Sequence, residues 1–200
     1  MSDKKYRLIG LTGPTGAGKS SASKIFEDHG FAIVDADKIA HKALTDQNSI
    51  VSLAEEFGES ILNADGSINR KALAKCAFAN AESTEKLNQI THPVITELSF
   101  KEFERLSQEG FENIIFDAPT LFEAGMDTLC DCVVSVIAPV KIRTERIKQR
   151  DNLTDEQAKA RISAQKDDIY YANRSRFVIV NDTDADTLTK RTEEIIKEIL

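Results

Sequence analysis

The eight residues Gly13-Pro14-Thr15-Gly16-Ala17-Gly18-Lys19-Ser20 place glycines, a lysine and a hydroxyl at the spacing G-x-x-x-x-G-K-[ST], directly after the apolar run Tyr6-Arg7-Leu8-Ile9-Gly10-Leu11. Residues of these types in this order bind phosphate. Glycines let the main chain curl until successive N–H groups point at one anion, and a helix beginning near Gly18 adds the positive end of its dipole. Lys19 then reaches the outer phosphates of a nucleoside triphosphate, while the Ser20 hydroxyl is placed to ligate a magnesium ion. The expected nucleotide contacts are therefore Gly13, Thr15, Gly16, Ala17, Gly18, Lys19 and Ser20.

Three aspartates could complete the chemistry. Asp35 and Asp37 follow a second apolar run, at the carboxyl edge where open parallel sheets bind ligands. That edge opens on the ligand cleft. One of the pair can enter it while the other caps the helix that starts near Lys38. Asp117 ends a third run, Asn113-Ile114-Ile115-Phe116-Asp117, where phosphate-loop proteins hold magnesium through water. The plain alternative is that each aspartate only terminates its strand.

A basic segment lies further on. Residues 141–161 carry seven Lys/Arg against four Asp/Glu, a local +3 in a chain whose formal net charge is −7. Arg143, Arg146 and Arg150 share one helical face, Asn152-Leu153-Thr154 breaks the helix, and Thr154-Asp155-Glu156-Gln157 is a capping box that opens the next, which carries Arg161. This reads as a helix-loop-helix lid, whose cations can close over a transferring phosphoryl group and exclude water. A solvated basic helix face is the competing reading. His92-Pro93 sits in a helical stretch, where a lone histidine is more often structural and the proline reads as shaping a helix start. Asn181-Asp182, after the last apolar run, reads as a turn.

These residues need a scaffold. Apolar runs at Leu8 to Leu11, Phe31 to Val34, Ile114 to Phe116, Val133 to Ala138 and Phe177 to Val180 alternate with helical patterns, which implies α/β architecture with a parallel sheet covered on both faces. Between Val34 and Ile114 only helical spacing appears, at Ile50 to Phe57, Leu73 to Phe78 and Thr84 to Leu106, with a turn at Asp65-Gly66. That stretch is expected to form a helical insertion. Two hundred residues bury one substantial core with room for such an insertion. The acidic balance argues against nucleic acid or an anionic membrane as the main partner. Three cysteines, Cys76, Cys130 and Cys132, suggest neither a disulfide framework nor a zinc site. With no signal pattern and no membrane-length apolar stretch, a cytosolic protein is expected.

Taken together, the motifs resemble the dephospho-coenzyme A kinases. The resemblance rests on Leu11-Thr12-Gly13 leading into the phosphate loop, Asp35-Ala36-Asp37-Lys38-Ile39-Ala40, Asp65-Gly66 with Arg70 and Leu73, and Asn88 through His92-Pro93-Val94-Ile95. It continues through Asp117-Ala118-Pro119-Thr120-Leu121-Phe122-Glu123, Arg146 with Arg150-Asp151, Arg161-Ile162 with Gln165, and Val178-Ile179 with Asn181. It implies a five-stranded parallel sheet of phosphate-loop kinase type, order 2-3-1-4-5. The core would comprise residues 1–40, 110–140 and 172–200, with a helical coenzyme A domain over 41–109 and a lid over 141–171. The implied reaction is phosphorylation of the ribose 3′-hydroxyl of dephospho-coenzyme A by ATP with Mg2+. Asp37 would be the catalytic carboxylate beside Lys19 and Arg150. Arg150 and Asn181 would contact the nucleotide, Asn181 near its base, and His92, Asp117 and Arg161 the acceptor. The chain departs from the family's usual pattern at His41, Thr120, Arg143 and Ser175-Arg176, of which His41 replaces a frequent arginine near the acceptor. A kinase of another small hydroxyl or nucleoside monophosphate would share loop and lid, but the Asp-Gly-x-Pro-Arg segment of adenylate kinases is absent. A GTPase-like switch would need Asn-Lys-x-Asp and Asp-x-x-Gly, and neither occurs.

Overall fold

Strands β1 (Arg7–Thr12), β2 (Ala32–Asp35), β3 (Asn113–Asp117), β4 (Cys132–Ile137) and β5 (Phe177–Val180) form one five-stranded sheet in a computed structural model that describes residues 4–200. Its order is β2-β3-β1-β4-β5, as the resemblance implied, with parallel pairing of β1 to β3 and β4, and of β4 to β5. Strands buried on both faces read as continuous apolar runs, and β1 shows this: every residue after Arg7 is buried. The register sets Leu11 beside Asp117 and Thr12 beside Ser135, so the carboxyl ends of β1, β3 and β4 open on one edge.

The intervening helices are α1 (Lys19–Asp28), α2 (Ala36–Ala43), α3 (Gln47–Phe57), α4 (Arg70–Ala77), α5 (Ala81–Gln108), α6 (Val140–Asp151), α7 (Asp155–Ser163), α8 (Asp168–Ala172) and α9 (Ala185–Ile199). Short polar residues start many of them. Asp35, Asp46, Asn69, Thr154, Asp167 and Asp184 each accept the amide three residues on, which satisfies one of the orphan donors at a helix start. At Thr154 both halves of the capping box form with Gln157. The break before it is made by Asn152, whose φ of 52° is left-handed, a conformation asparagine tolerates better than most. Pro93 lies inside α5 and starts no helix. Twenty-eight residues of helix absorb the one ladder bond its missing N–H removes, so the helical stretch expected from Thr84 to Leu106 runs on through the proline.

Two compact units emerge. One runs up to Val34 and resumes from Leu106 to Leu200; the other is Asp35–Arg105. In the first, Ile9, Leu11, Ile115, Val134 and Ile179 from the sheet pack with Phe26 of α1 and Leu188, Ile195 and Ile199 of α9. Each such side chain contributes roughly 1.5–3 kcal/mol on burial. In the second unit, Leu53, Ile61, Ile68, Leu73 and Ala77 make a separate cluster.

Arg143, on α6, is the exception in the first unit. It is only 2% exposed, yet its Nε and Nη1 have no hydrogen-bond partner among the described residues. Its counter-ion is Asp168 of α8, with Oδ1 3.8 Å from Nη2 and itself unbonded. Burial pushes the Asp168 carboxyl above its ordinary range in spite of the arginine. A loose buried pair of this kind stabilises little, but an orphaned buried guanidinium is costly. Asp168→Leu should therefore lower unfolding free energy by about 2–3 kcal/mol, below the figure for a fully buried pair because part of Asp168 reaches solvent. Arg143→Met with Asp168→Leu should recover most of that loss in urea unfolding. A double variant as unstable as Asp168→Leu alone would show that Arg143 packs through more than its charge.

Candidate active site

The phosphate loop spans the gap between β1 and α1, and its conformation depends on glycines whose Cβ atoms have nowhere to go. Gly13 adopts φ 149°, and a side chain there would run into the Val136 carbonyl of β4. Gly18 caps α1 at φ 97°, with the Asn181 amide occupying the space a Cβ would need. The loop is closed on itself by Ala17 N–H to the Pro14 carbonyl, 3.1 Å, while Thr15 N–H donates to Gln165 Oε1, 2.8 Å. The amides of Gly16, Gly18, Lys19 and Ser20 find no acceptor among the described residues. Four unpaired donors at a helix N-terminus make an anion site.

The carbonyls on the far side of the loop are held. Asn181, 6% exposed just after β5, donates through Nδ2 to the Ala17 carbonyl at 2.7 Å, and its own N–H reaches the Ile137 carbonyl. Arg146 Nη1 lies 3.3–3.4 Å from the carbonyl oxygens of Gly16, Ala17 and Asn181, and Nη2 donates to Asn181 Oδ1 at 3.2 Å. With the Ala17 carbonyl engaged by donors behind, the Ala17–Gly18 peptide is pinned and its N–H is left without a protein acceptor among the described residues. Asn181 is thus a buried support of the loop, a role that reading it as a turn missed. The signal for Arg146 was its place on the basic helical face, and for Gln165 only the family resemblance.

Lys19 and Asp117 are brought together. The ammonium donates to Asp117 Oδ1, and both side chains are mostly buried, 17% and 13% exposed. The pairing follows from register, since Asp117 ends β3 opposite Leu11, just before the loop. Ser20, in the first turn of α1, is exposed and its hydroxyl has no protein partner among the described residues.

The basic helix-loop-helix organises around one carboxylate. Arg150 Nε and Nη2 bond Asp151 at 2.7 and 2.8 Å, and Arg161 Nη1 bonds Asp151 Oδ2 at 2.6 Å. The hydrogen bond from Arg150 holds the Asp151 carboxyl below the usual carboxylate range. Beneath them Ile147, Ala158 and Ile162 with Leu153 pack α6 onto α7. Both expected lid cations are half-exposed or more and share a clamp that sequence reading had not singled out.

In the unit Asp35–Arg105, Asp35 and Asp37 divide their roles. Asp35 Oδ1 accepts Lys38 N–H at 3.1 Å and caps α2, whereas Asp37 is exposed in the first turn with no bonded partner among the described residues. His92 is half-buried in the middle of α5. The three cysteines are free, and burial pushes the Cys130 thiol up to about 12, so it is inert as a nucleophile at neutral pH. Among the described residues no helix is long and apolar enough to cross a membrane.

The sheet order, the loop and the lysine–aspartate pair define a phosphate-loop kinase. Residues 7–187 match the family model described as dephospho-CoA kinase. The chain is 37% identical over 193 residues to the dephospho-CoA kinase of Corynebacterium glutamicum, covering 96% of each. Among solved structures it superposes on TT1252 of Thermus thermophilus with a TM-score of 0.86 at 28% identity, covering 98% of this chain and 99% of that one. The dephospho-CoA kinase of Campylobacter jejuni gives 0.63 at 28% identity, with 98% of both covered. This chain belongs to the dephospho-CoA kinase family.

The loop's backing generates a test. Asn181→Ala removes the 2.7 Å donor to the buried Ala17 carbonyl and leaves it the longer bond from Arg146 Nη1, and a lost hydrogen bond of this kind is worth about 0.5–1.5 kcal/mol. ATP affinity should fall by up to roughly tenfold by titration calorimetry, with the thermal midpoint lowered by only a few degrees. Unaltered ATP affinity would mean that the loop holds its shape without Asn181.

Proposed function

We propose that the protein transfers the γ-phosphoryl group of ATP to the ribose 3′-hydroxyl of dephospho-CoA, giving CoA and ADP. The observation that carries this is the cradle of four unpaired amides beside a buried Lys19, in a chain matched from residue 7 to 187 to that family. The amides take the β-phosphate region. Lys19 then exchanges Asp117 for phosphate oxygens, which moves its charge to where the transition state needs it.

Magnesium fits the donors present. Ser20 offers a free hydroxyl and Asp117 a carboxylate, both hard oxygens, and no group of three His, Cys, Asp or Glu among the described residues could hold a metal ion unaided. That sparse set suits an ion bound largely through substrate phosphates and water. Ser20 would ligate it directly and Asp117 through water. When bound, magnesium would supply positive charge to offset that of the phosphates.

Arg150 and Arg161, freed in part from Asp151, supply cations to the transferring group. Asp37 has no competing partner among the described residues and is available to orient the acceptor hydroxyl and take its proton, with Asp35 committed to the cap. In this reading residues 35–105 receive the acceptor, His92 lies on the acceptor side and Asn181 supports the nucleotide. An ATP-consuming step of coenzyme synthesis belongs in the cytoplasm, where we place it.

The reading is tested by ATP consumption with dephospho-CoA beside AMP, shikimate and gluconate. ADP release should depend on dephospho-CoA. Turnover only with another acceptor would remove the proposal. Lys19→Ala should leave a folded protein with very little transfer, and Asp37→Asn should keep ATP binding while slowing single-turnover transfer by roughly 10²- to 10⁴-fold. If Asp35→Asn abolishes transfer and Asp37→Asn does not, the two aspartates exchange roles.

A further inference from the structure

Two amides of the phosphate loop are already taken. Ala17 N–H goes to the loop's own Pro14 carbonyl, but Thr15 N–H donates at 2.8 Å to Gln165 Oε1, a side chain 150 residues on that the chemistry above does not use. A main-chain N–H only donates, so its partner is the carboxamide oxygen, and this settles which way round the Gln165 amide stands. The NH2 group is left as two donors, which find no acceptor among the described residues.

Gln165 is held from its own side as well. Its N–H donates to the Ile162 carbonyl at 3.1 Å, closing the end of α7, and Ile162 belongs to the apolar cluster between α6 and α7. Two residues on, Asp167 caps α8 by accepting Tyr170 N–H. The side chain therefore leaves from a short link fixed by one helix end and one helix start. Behind the loop, Val136 crowds Gly13, Arg143 and Ile147 crowd Gly16, and Asn181 crowds Gly18. Gln165 is exposed, so its amide lies on the open side, where a nucleotide enters. The oxygen and nitrogen of one carboxamide are about 2.2 Å apart, which keeps Nε2 within about 5 Å of the Thr15 nitrogen.

Resting on the phosphoryl transfer proposed above, we infer that Gln165 is a further catalytic residue, donating through Nε2 to the transferring γ-phosphoryl group while Oε1 stays on Thr15 N–H. The amides of Gly16, Gly18, Lys19 and Ser20 serve the β-phosphate, and the segment with Arg150 and Arg161 serves the γ-phosphoryl group. Gln165 joins that segment to the loop and stands where the two meet. Thr15 thus acts on the nucleotide through Gln165, and two hydrogen bonds in series strengthen each other. A donor fixed in advance gains most as charge builds on the phosphoryl oxygens, so its effect falls on the rate of transfer more than on ATP binding.

The test is single-turnover transfer to dephospho-CoA at neutral pH and saturating ATP by wild type, Gln165→Ala and Gln165→Glu, with ATP affinity from titration calorimetry. Gln165 is exposed, and matching thermal midpoints will show that both variants fold. Glutamate is the decisive replacement: its carboxylate still accepts Thr15 N–H, yet it cannot donate and it sets negative charge against the phosphate. Gln165→Ala should slow transfer by roughly 10- to 100-fold, the usual worth of a hydrogen bond to a charged group, with ATP affinity within about threefold. Gln165→Glu should be slower again, by roughly tenfold. A glutamate variant faster than the alanine variant would show that only the acceptor on Thr15 counts and would overturn the donor role, as would an alanine variant within about threefold of the wild-type rate. Either result leaves phosphoryl transfer standing, whereas a wild type that forms no ADP with dephospho-CoA overturns that reading and the role of Gln165 together.

Discussion

Everything in the first unit depends on keeping four main-chain amides aimed at one point without giving them a protein acceptor. Unpaired amides are costly when buried, and a flexible loop would turn them toward water or toward each other. The protein resists this from behind. Carbonyls of Gly16 and Ala17 are taken by Arg146 and Asn181, so peptide planes cannot rotate without breaking charge-assisted or buried hydrogen bonds. The glycines follow from the same constraint, since the Gly13 and Gly18 positions are left-handed and filled to contact by Val136 and Asn181. Preorganisation of this kind is what lets an electrostatic site stabilise a transition state without first reorganising itself.

The loop and the basic helices are tied together through side chains whose positions in sequence are far apart. Gln165, just beyond α7, bonds Thr15; Arg146, on α6, bonds Gly16 and Ala17; and Asp151 gathers Arg150 and Arg161. An arginine held by a neighbouring carboxylate is oriented but not neutralised, and half-exposed pairs of this sort exchange partners at little cost. Lys19 and Asp117 form a more buried pair, in which the carboxylate fixes the ammonium at the end of the loop.

Local chemistry made much of the fold legible. Apolar runs such as Ile114 to Phe116 gave the strands because a doubly covered sheet needs no alternation, and Thr154 with Gln157 announced a helix start because both ends of a capping box are local. The phosphate loop was legible for the same reason. What stayed hidden was tertiary: that Asn181 turns inward to support the loop, that Asp151 serves two arginines eleven residues apart, and that Arg143 is buried although it shares the basic face read as part of a lid. Pro93 misled because proline's local penalty was outweighed by the packing of a 28-residue helix. Asp35 and Asp37 were ambiguous in sequence, and the cap on Lys38 N–H resolves which of them is committed to structure.

The central claim, that this cradle directs phosphoryl transfer to one hydroxyl of dephospho-CoA, is tested most directly by phosphorus NMR of the reaction as it proceeds. The account predicts a single new phosphomonoester resonance, assigned to the ribose 3′ position, growing at the rate at which ADP forms. ADP accompanied by inorganic phosphate alone, or a monoester at another position, would contradict it.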